Sequence, residues 1–248
     1  MRRAATRKLL ALLLAAVGCA AAAEAPEARH MRLSDGTDIA YTLILPDSFQ
    51  EGRTYPALLA LPGGRQNTES VQAALGRFWG PEAARRGFIV FSPAAPAGKA
   101  FYNEGADLVF ELVRRLLVEF RIEGGKLHLA GHSNGGVSAF AAAVRHPELF
   151  RSLTVLAAFP LERRDFDRLD TLRALRVSMF VGERDLDWKE GMEKTRDRLA
   201  AAGVDVRMEV VPGNGHLLPA LSFANSARIF DQLDRRGARQ SGNWPAAR

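Results

Sequence analysis

The fold this sequence predicts is a mostly parallel, twisted β-sheet wrapped by helices on both faces, with an antiparallel hairpin at its N-terminal edge. Three observations predict it. Short apolar runs of strand length alternate regularly with helical segments from residue 57 to residue 233, which is the pattern of an α/β domain. The run Ala57–Leu61 is apolar throughout rather than alternating, as a strand buried on both faces requires. The chain has 248 residues, 47% of them hydrophobic and 25% charged, enough for one such domain with a substantial core and too few for two.

The elements follow in order. Two short alternating runs in residues 30–46 flank the turn Ser34-Asp-Gly-Thr37 and read as the edge hairpin. The Ala57–Leu61 strand opens into the loop Pro62-Gly-Gly-Arg-Gln-Asn67 and then one helix over residues 68–86. A strand at 88–91, a loop with Pro93 and Pro96, and a long amphipathic helix over about 103–120 come next. Residues 126–130 are the following strand and 137–145 an alanine-rich helix. Residues 153–156 form a strand. The charged connection 157–174 has room for a small helix and little or no cap. A strand at 177–181, a helix at 190–202, a strand at 206–211 and a closing helix at 217–233 complete the alternation.

The ends read differently. Residues 1–23 combine a basic head, an apolar run too short to span a bilayer and an Ala21-Ala22-Ala23 cleavage pattern, so they are expected to be an export signal. Ala16-Val17-Gly18-Cys19 offers the alternative of a lipoprotein signal ending before Cys19. The protein is therefore expected to be periplasmic or extracellular, and to touch a membrane only if lipid is attached at Cys19. Cys19 is the only cysteine, which excludes a disulfide framework and a multi-cysteine metal site. Four of the basic residues lie in that segment, leaving 30 basic against 28 acidic residues, so the net charge of +6 gives no support for a nucleic-acid partner. Residues 30–235 are the expected catalytic domain, and 236–248, polar and without apolar periodicity, a flexible tail. Composition leaves the oligomeric state open.

The chemistry centres on Gly131-His-Ser-Asn-Gly-Gly136, which joins a strand to a helix. In a G-x-S-x-G elbow the serine occupies a sharp strand-to-helix turn, and flanking glycines keep Cβ atoms out of the way. Ser133 is the candidate nucleophile, and the Asn134 N–H at the helix start is a candidate oxyanion donor. The spacing also begins like a Walker A loop, but Val137 and Ser138 follow where Lys and Ser or Thr are needed. Gly213-Asn-Gly215 likewise lacks the third glycine of a dinucleotide fingerprint.

A serine hydroxyl needs a base, and the base needs an acid to fix its tautomer. Of five histidines, His216 alone sits in a late loop after a strand, where catalytic groups of open α/β sheets gather. The chain order Ser, acid, His requires a carboxylate between them. Asp185, at the end of the 177–181 strand, is the candidate and Asp187 its rival. The Pro62-Gly-Gly-Arg65 loop supplies the second oxyanion donor, Gly64 or alternatively Arg65.

With Gly131 to Gly136, Val181-Gly-Glu-Arg-Asp185, Val211-Pro-Gly-Asn-Gly-His216 and Tyr55 to Gly64 together, the chain resembles the α/β-hydrolase superfamily from about residue 31 to 233. It is similar in particular to secreted esterases related to polyhydroxybutyrate depolymerases and feruloyl or acetylxylan esterases, and to dienelactone-hydrolase-like proteins. The resemblance implies an α/β-hydrolase fold and a carboxylesterase that uses no metal or organic cofactor. Its expected substrates are small-molecule or oligosaccharide-linked esters. One departure stands out: Pro62 occupies a position where many relatives carry His. Arg65, Phe101, Tyr102, Phe159 and Trp188 are expected to line the mouth of the site. A serine peptidase of the same fold and a non-catalytic exported binding protein are the rival readings.

Overall fold

A computed structural model describes residues 25–103 and 105–233. The expected export signal with Cys19, and the expected tail, lie outside the described residues. Eight strands form one sheet in the order β1-β2-β4-β3-β5-β6-β7-β8. The hairpin of β1 (Glu27–Arg32) and β2 (Asp38–Ile44) is antiparallel, and β2 pairs antiparallel with β4 (Ile89–Pro93). From β4 through β3 (Ala57–Leu61), β5 (Leu127–His132), β6 (Phe150–Leu156), β7 (Arg176–Gly182) and β8 (Asp205–Val211) every pairing is parallel. All parallel strands therefore end on one rim, where ligand sites of such sheets form.

Alternate residues of β3 serve two cores. Leu59 and Leu61 join α3 (Ala106–Glu119), α4 (Asn134–Arg145) and α6 (Leu186–Ala201) on one face. Leu58 and Ala60 join Phe78, Trp79, Ile229 and Phe230 on the other. Both faces of this strand are dry, which is why its sequence does not alternate. Fully buried Phe78 and Trp79 each contribute roughly 2–3 kcal/mol of transfer free energy.

Three elements differ from the sequence expectation. The single helix expected over 68–86 is α1 (Thr68–Ala74), a π-helical turn at Leu75–Trp79 and α2 (Gly80–Arg85). Pro81 has no N–H for the Arg77 carbonyl and its ring would clash there, so the ladder widens and the Gly80 N–H bonds five residues back to Leu75. The closing helix is confined to α7 (Ala227–Leu233), because Pro219 and a left-handed Leu218 break the segment before it into short 3₁₀ turns. The helix expected from 190 begins at Leu186, immediately after Asp185. The 157–174 connection holds only α5 (Arg163–Phe166) and a 3₁₀ segment (Leu169–Ala174), both against α4.

Candidate active site

Between β5 and α4 the chain reverses within one residue. Ser133 has φ 54° and ψ −127°, a strained conformation for a residue with a side chain. Three glycines around it leave no room for a side chain. A Cβ on Gly131 would lie 2.3 Å from the Gly135 backbone, one on Gly135 2.1 Å from the Leu61 carbonyl oxygen, and one on Gly136 2.3 Å from Ala158 Cβ. The turn lifts the Ser133 hydroxyl onto the rim of the sheet.

Two other strand ends meet it there. The Ser133 hydroxyl donates to His216 Nε2 at 2.8 Å, and His216 Nδ1–H donates to Asp185 Oδ2 at 2.8 Å. Asp185 is largely shielded, with 12% of its side chain exposed, against 32% for His216. Asp187 is exposed on α6 and makes no such contact. The other histidines are occupied elsewhere: His30 with Asp38, buried His128 with Ser152, and His146 against Phe110.

The loops that carry Asp185 and His216 brace each other. Glu183 N–H and Arg184 N–H donate to the carbonyls of Val211 and Asn214, and Gly213 N–H donates to the Glu183 carboxylate. Buried Asn214 receives the Ala220 N–H on its side-chain oxygen and donates to the Pro212 carbonyl. A Cβ on Gly182 would lie 2.4 Å from the Asn214 carbonyl oxygen, so that strand end also admits no methyl group.

His132, the residue before Ser133, makes contacts that its position in the elbow gave no sign of. Its Nε2–H donates to the His216 carbonyl at 2.8 Å, and its ring lies 5.1 Å from that of His216. Desolvation lowers its pKa to about 4 against the raising effect of its own hydrogen bond to the His216 carbonyl, so at neutral pH it is an uncharged donor. It holds the backbone of the His216 loop.

Gln66 is the second residue missed. It is fully buried, with φ 58°, and its amide donates to the Pro62 carbonyl at 3.1 Å and to Ser138 Oγ at 2.9 Å. Its side-chain oxygen accepts the Phe101 N–H, and its backbone carbonyl accepts the Ala95 N–H. The Pro62-Gly63-Gly64 loop is thus anchored from within, with no histidine at position 62. The Asn134 side chain adds a bond to the Gly64 carbonyl at 3.0 Å. The N–H groups of Gly64 and Arg65 have no acceptor among the described residues. As the first residue of α4, Asn134 has no intrahelical acceptor for its own N–H. Gly63 packs on the elbow so closely that a Cβ would lie 2.8 Å from the His132 carbonyl oxygen.

The expected mouth residues divide. Trp188 packs against His216 with ring centroids 5.2 Å apart, and Phe159 meets Trp188 edge-on at 5.3 Å. Gly191 makes room for Phe159, since a Cβ there would lie 2.3 Å from its ring. Arg65 is exposed on the oxyanion-side loop and Tyr102 is half-buried. Phe101 needs correction: it is fully buried in the core, where its ring packs and its N–H serves Gln66, so it does not line the mouth.

The strand order, the strained serine turn and the Ser133-His216-Asp185 contacts define an α/β-hydrolase fold with a serine-hydrolase arrangement on its strand ends. Residues 34–218 match the Esterase family, and the chain belongs to it. Dipeptidyl-peptidase 5 of Porphyromonas gingivalis is 30% identical over 154 residues, which take in 55% of this chain and 22% of that protein. The chain therefore spans less than a quarter of the curated relative it matches. A thermostable esterase of known structure superposes with a TM-score of 0.64 at 19% identity, over 85% of this chain and 60% of that one. Est1E from Butyrivibrio proteoclasticus does so with a TM-score of 0.64 at 14% identity, over 83% of this chain and 99% of that one. At these identities the superpositions speak for the fold.

Proposed function

We propose that the protein is a serine carboxylesterase, with Ser133 as nucleophile, His216 as general base and Asp185 as its orienting acid. The observation that carries this reading is the pair of 2.8 Å contacts linking Ser133 Oγ, His216 and Asp185 at one rim of the sheet. His216 Nε2 takes the Ser133 proton as Oγ attacks the ester carbonyl. The carbonyl oxygen, now an anion, is held by the Asn134 N–H and by the Gly64 N–H, with Arg65 N–H as the alternative donor. As the tetrahedral adduct collapses, the bond to the alkoxy oxygen breaks and His216 returns the proton to the departing alcohol. Water then attacks the acyl-serine by the same route and frees the acid. Asp185 stabilises the imidazolium without taking its proton. Family membership supports ester substrates, and the slight 157–174 connection supports an open cleft suited to small or carbohydrate-linked esters.

Turnover of p-nitrophenyl acetate and butyrate tests the assignment. Ser133→Ala is expected to lower kcat by on the order of 10⁵ or more. Activity equal to wild type in that variant would remove Ser133 from the mechanism.

The similarity to a dipeptidyl-peptidase favours one second reading, cleavage of peptide amides by the same triad. Hydrolysis of aminoacyl and dipeptidyl p-nitroanilides at rates matching the esters would establish it. The basic-then-apolar N-terminal sequence supports export, and cell fractionation with detection of the chain outside the cytoplasm tests that.

A further inference from the structure

Beside the nucleophile is a cavity of about 240 Å³ that the hydrolytic machinery does not itself use. Its walls include Gly64, Ser70, Arg77, Phe78, His132 and Leu217. Three of these fix its position relative to the reaction. Gly64 belongs to the loop proposed to hold the oxyanion. His132 lies under the His216 carbonyl, and Leu217 is the residue after His216. The cavity thus lies between the loop proposed to hold the oxyanion and the chain that follows His216.

Arg77 gives the cavity a charge. It reaches this wall through the π-helical turn Leu75–Trp79, a type of irregularity that often marks functional sites. Its guanidinium lies 5.9 Å from the Phe78 ring centroid, and Nη1 is 3.5 Å from the Leu217 carbonyl oxygen, at the limit of a hydrogen bond. No carboxylate among the described residues pairs with it, whereas Arg85 and Arg86 in the adjoining helical turns are both tied to Glu82. A guanidinium presents several donors in a planar fork suited to a carboxylate. The volume fits a group of about one aromatic ring, and one cation matches one negative charge.

We propose that this cavity receives the alcohol portion of the ester and that Arg77 selects alcohols bearing a carboxylate. The proposal rests on the serine-esterase reading and adds to it the class of leaving group. Phe78 and Leu217 supply the apolar walls for the body of the alcohol, and the guanidinium receives its charged end.

Two acetyl esters of equal shape test it: 4-acetoxybenzoate, with an anionic leaving group, and 4-acetoxybenzamide, with a neutral one. The ratio of their kcat/KM values in wild type is expected to fall about tenfold in Arg77→Gln, mostly through KM. Arg77→Lys is expected to recover part of that ratio, and Arg163→Gln on remote α5 to leave it at the wild-type value. Phenyl hydrogen succinate, whose carboxylate is on the acyl side, is expected to show no dependence on Arg77. An unchanged ratio in Arg77→Gln, or a dependence that follows the succinate instead, overturns the proposal while hydrolysis of all three esters leaves the esterase reading standing. If wild type hydrolyses none of them, the esterase reading fails first. Calorimetric binding of 4-hydroxybenzoate then decides: weakening of about tenfold in Arg77→Gln supports the anion-accepting cavity, and equal or absent binding in both overturns it.

Discussion

The elbow that carries Ser133 and the loop that carries His216 meet at 2.8 Å, yet they are held in place by different means. Around the elbow the constraint is steric: Gly131, Gly135 and Gly136 each leave no room for a methyl group against neighbouring atoms. Around His216 the constraint is polar: Asn214, the Glu183 carboxylate, His132 and Asp185 fix a loop by hydrogen bonds. Packing is shared by many atoms and fails together with the fold, whereas a hydrogen bond can be removed singly while the backbone stays put. Ser133 is thus placed by the core and His216 by a network, which makes damage to the two regions separable by experiment.

Loss of the Ser133 hydroxyl itself aside, the largest effect is expected on the polar side. Asp185→Asn keeps the shape of the site but removes the charge and the tautomer control, and kcat is expected to fall by about 10⁴ with little change in Tm. Asp187→Asn, on an exposed side chain, is expected to stay within about twofold of wild type. Steady-state kinetics and thermal melts on the two variants measure both halves, and equal losses would erase the distinction between the carboxylates. Gly135→Ala should behave in the opposite way. Its new Cβ would stand 2.1 Å from the Leu61 carbonyl oxygen, so stability is expected to drop by roughly 3 kcal/mol or more, and activity with it. Urea unfolding checks this, and a stable but inactive variant would show that the elbow is not held by packing.

Asn214→Ala is intermediate. It strips the Ala220 N–H and the Pro212 carbonyl of a buried partner, at about 2 kcal/mol, and is expected to lower kcat about tenfold at temperatures where the protein is fully folded. The smallest effect concerns His128, in the strand that feeds the elbow. Burial lowers its pKa to about 3, with Arg151 and Arg176 adding to the shift. In the unfolded chain it protonates near 6.5, so as pH falls through that value only the unfolded state gains a proton and the folded state loses relative stability. Between pH 7 and pH 5 the loss is about 2 kcal/mol. Urea titrations at the two pH values should show a loss about 2 kcal/mol smaller in His128→Gln than in wild type, since buried His132 adds a similar loss to both, and an equal loss in the two proteins would place its source elsewhere.

Much of this was legible in the sequence, and the rest was hidden for physical reasons. Strands reveal themselves because burial on both faces forces continuous apolar runs such as Ala57–Leu61, and the elbow does so because its turn admits only glycine at fixed spacing. The positions of Ser133, Asp185 and His216 follow from those strand ends, and the structure brings all three together. Gln66 and His132 were not legible, because their value lies in partners 72 and 84 residues away. Phe101 was misplaced since an aromatic in a loop carries the same local signal whether it faces solvent or core. Pro81 was a visible warning of the broken helix, although where the extra residue of the ladder would fall depended on packing of Phe78 and Trp79.

The bracing of the β7 and β8 loops bears on the order of events as the chain matures. Ser133 and His216 are 83 residues apart, and their contact requires β7 and β8, at the far end of the sheet, to be docked beside β6. Contacts between distant parts of a chain form late because closing long loops costs entropy before any contact repays it. An incompletely folded molecule can hold the serine turn while lacking the base that would make it reactive. On the proposed mechanism, a chain whose last strands have not docked would carry no activated hydroxyl through the stages at which its own backbone and those of its neighbours are exposed.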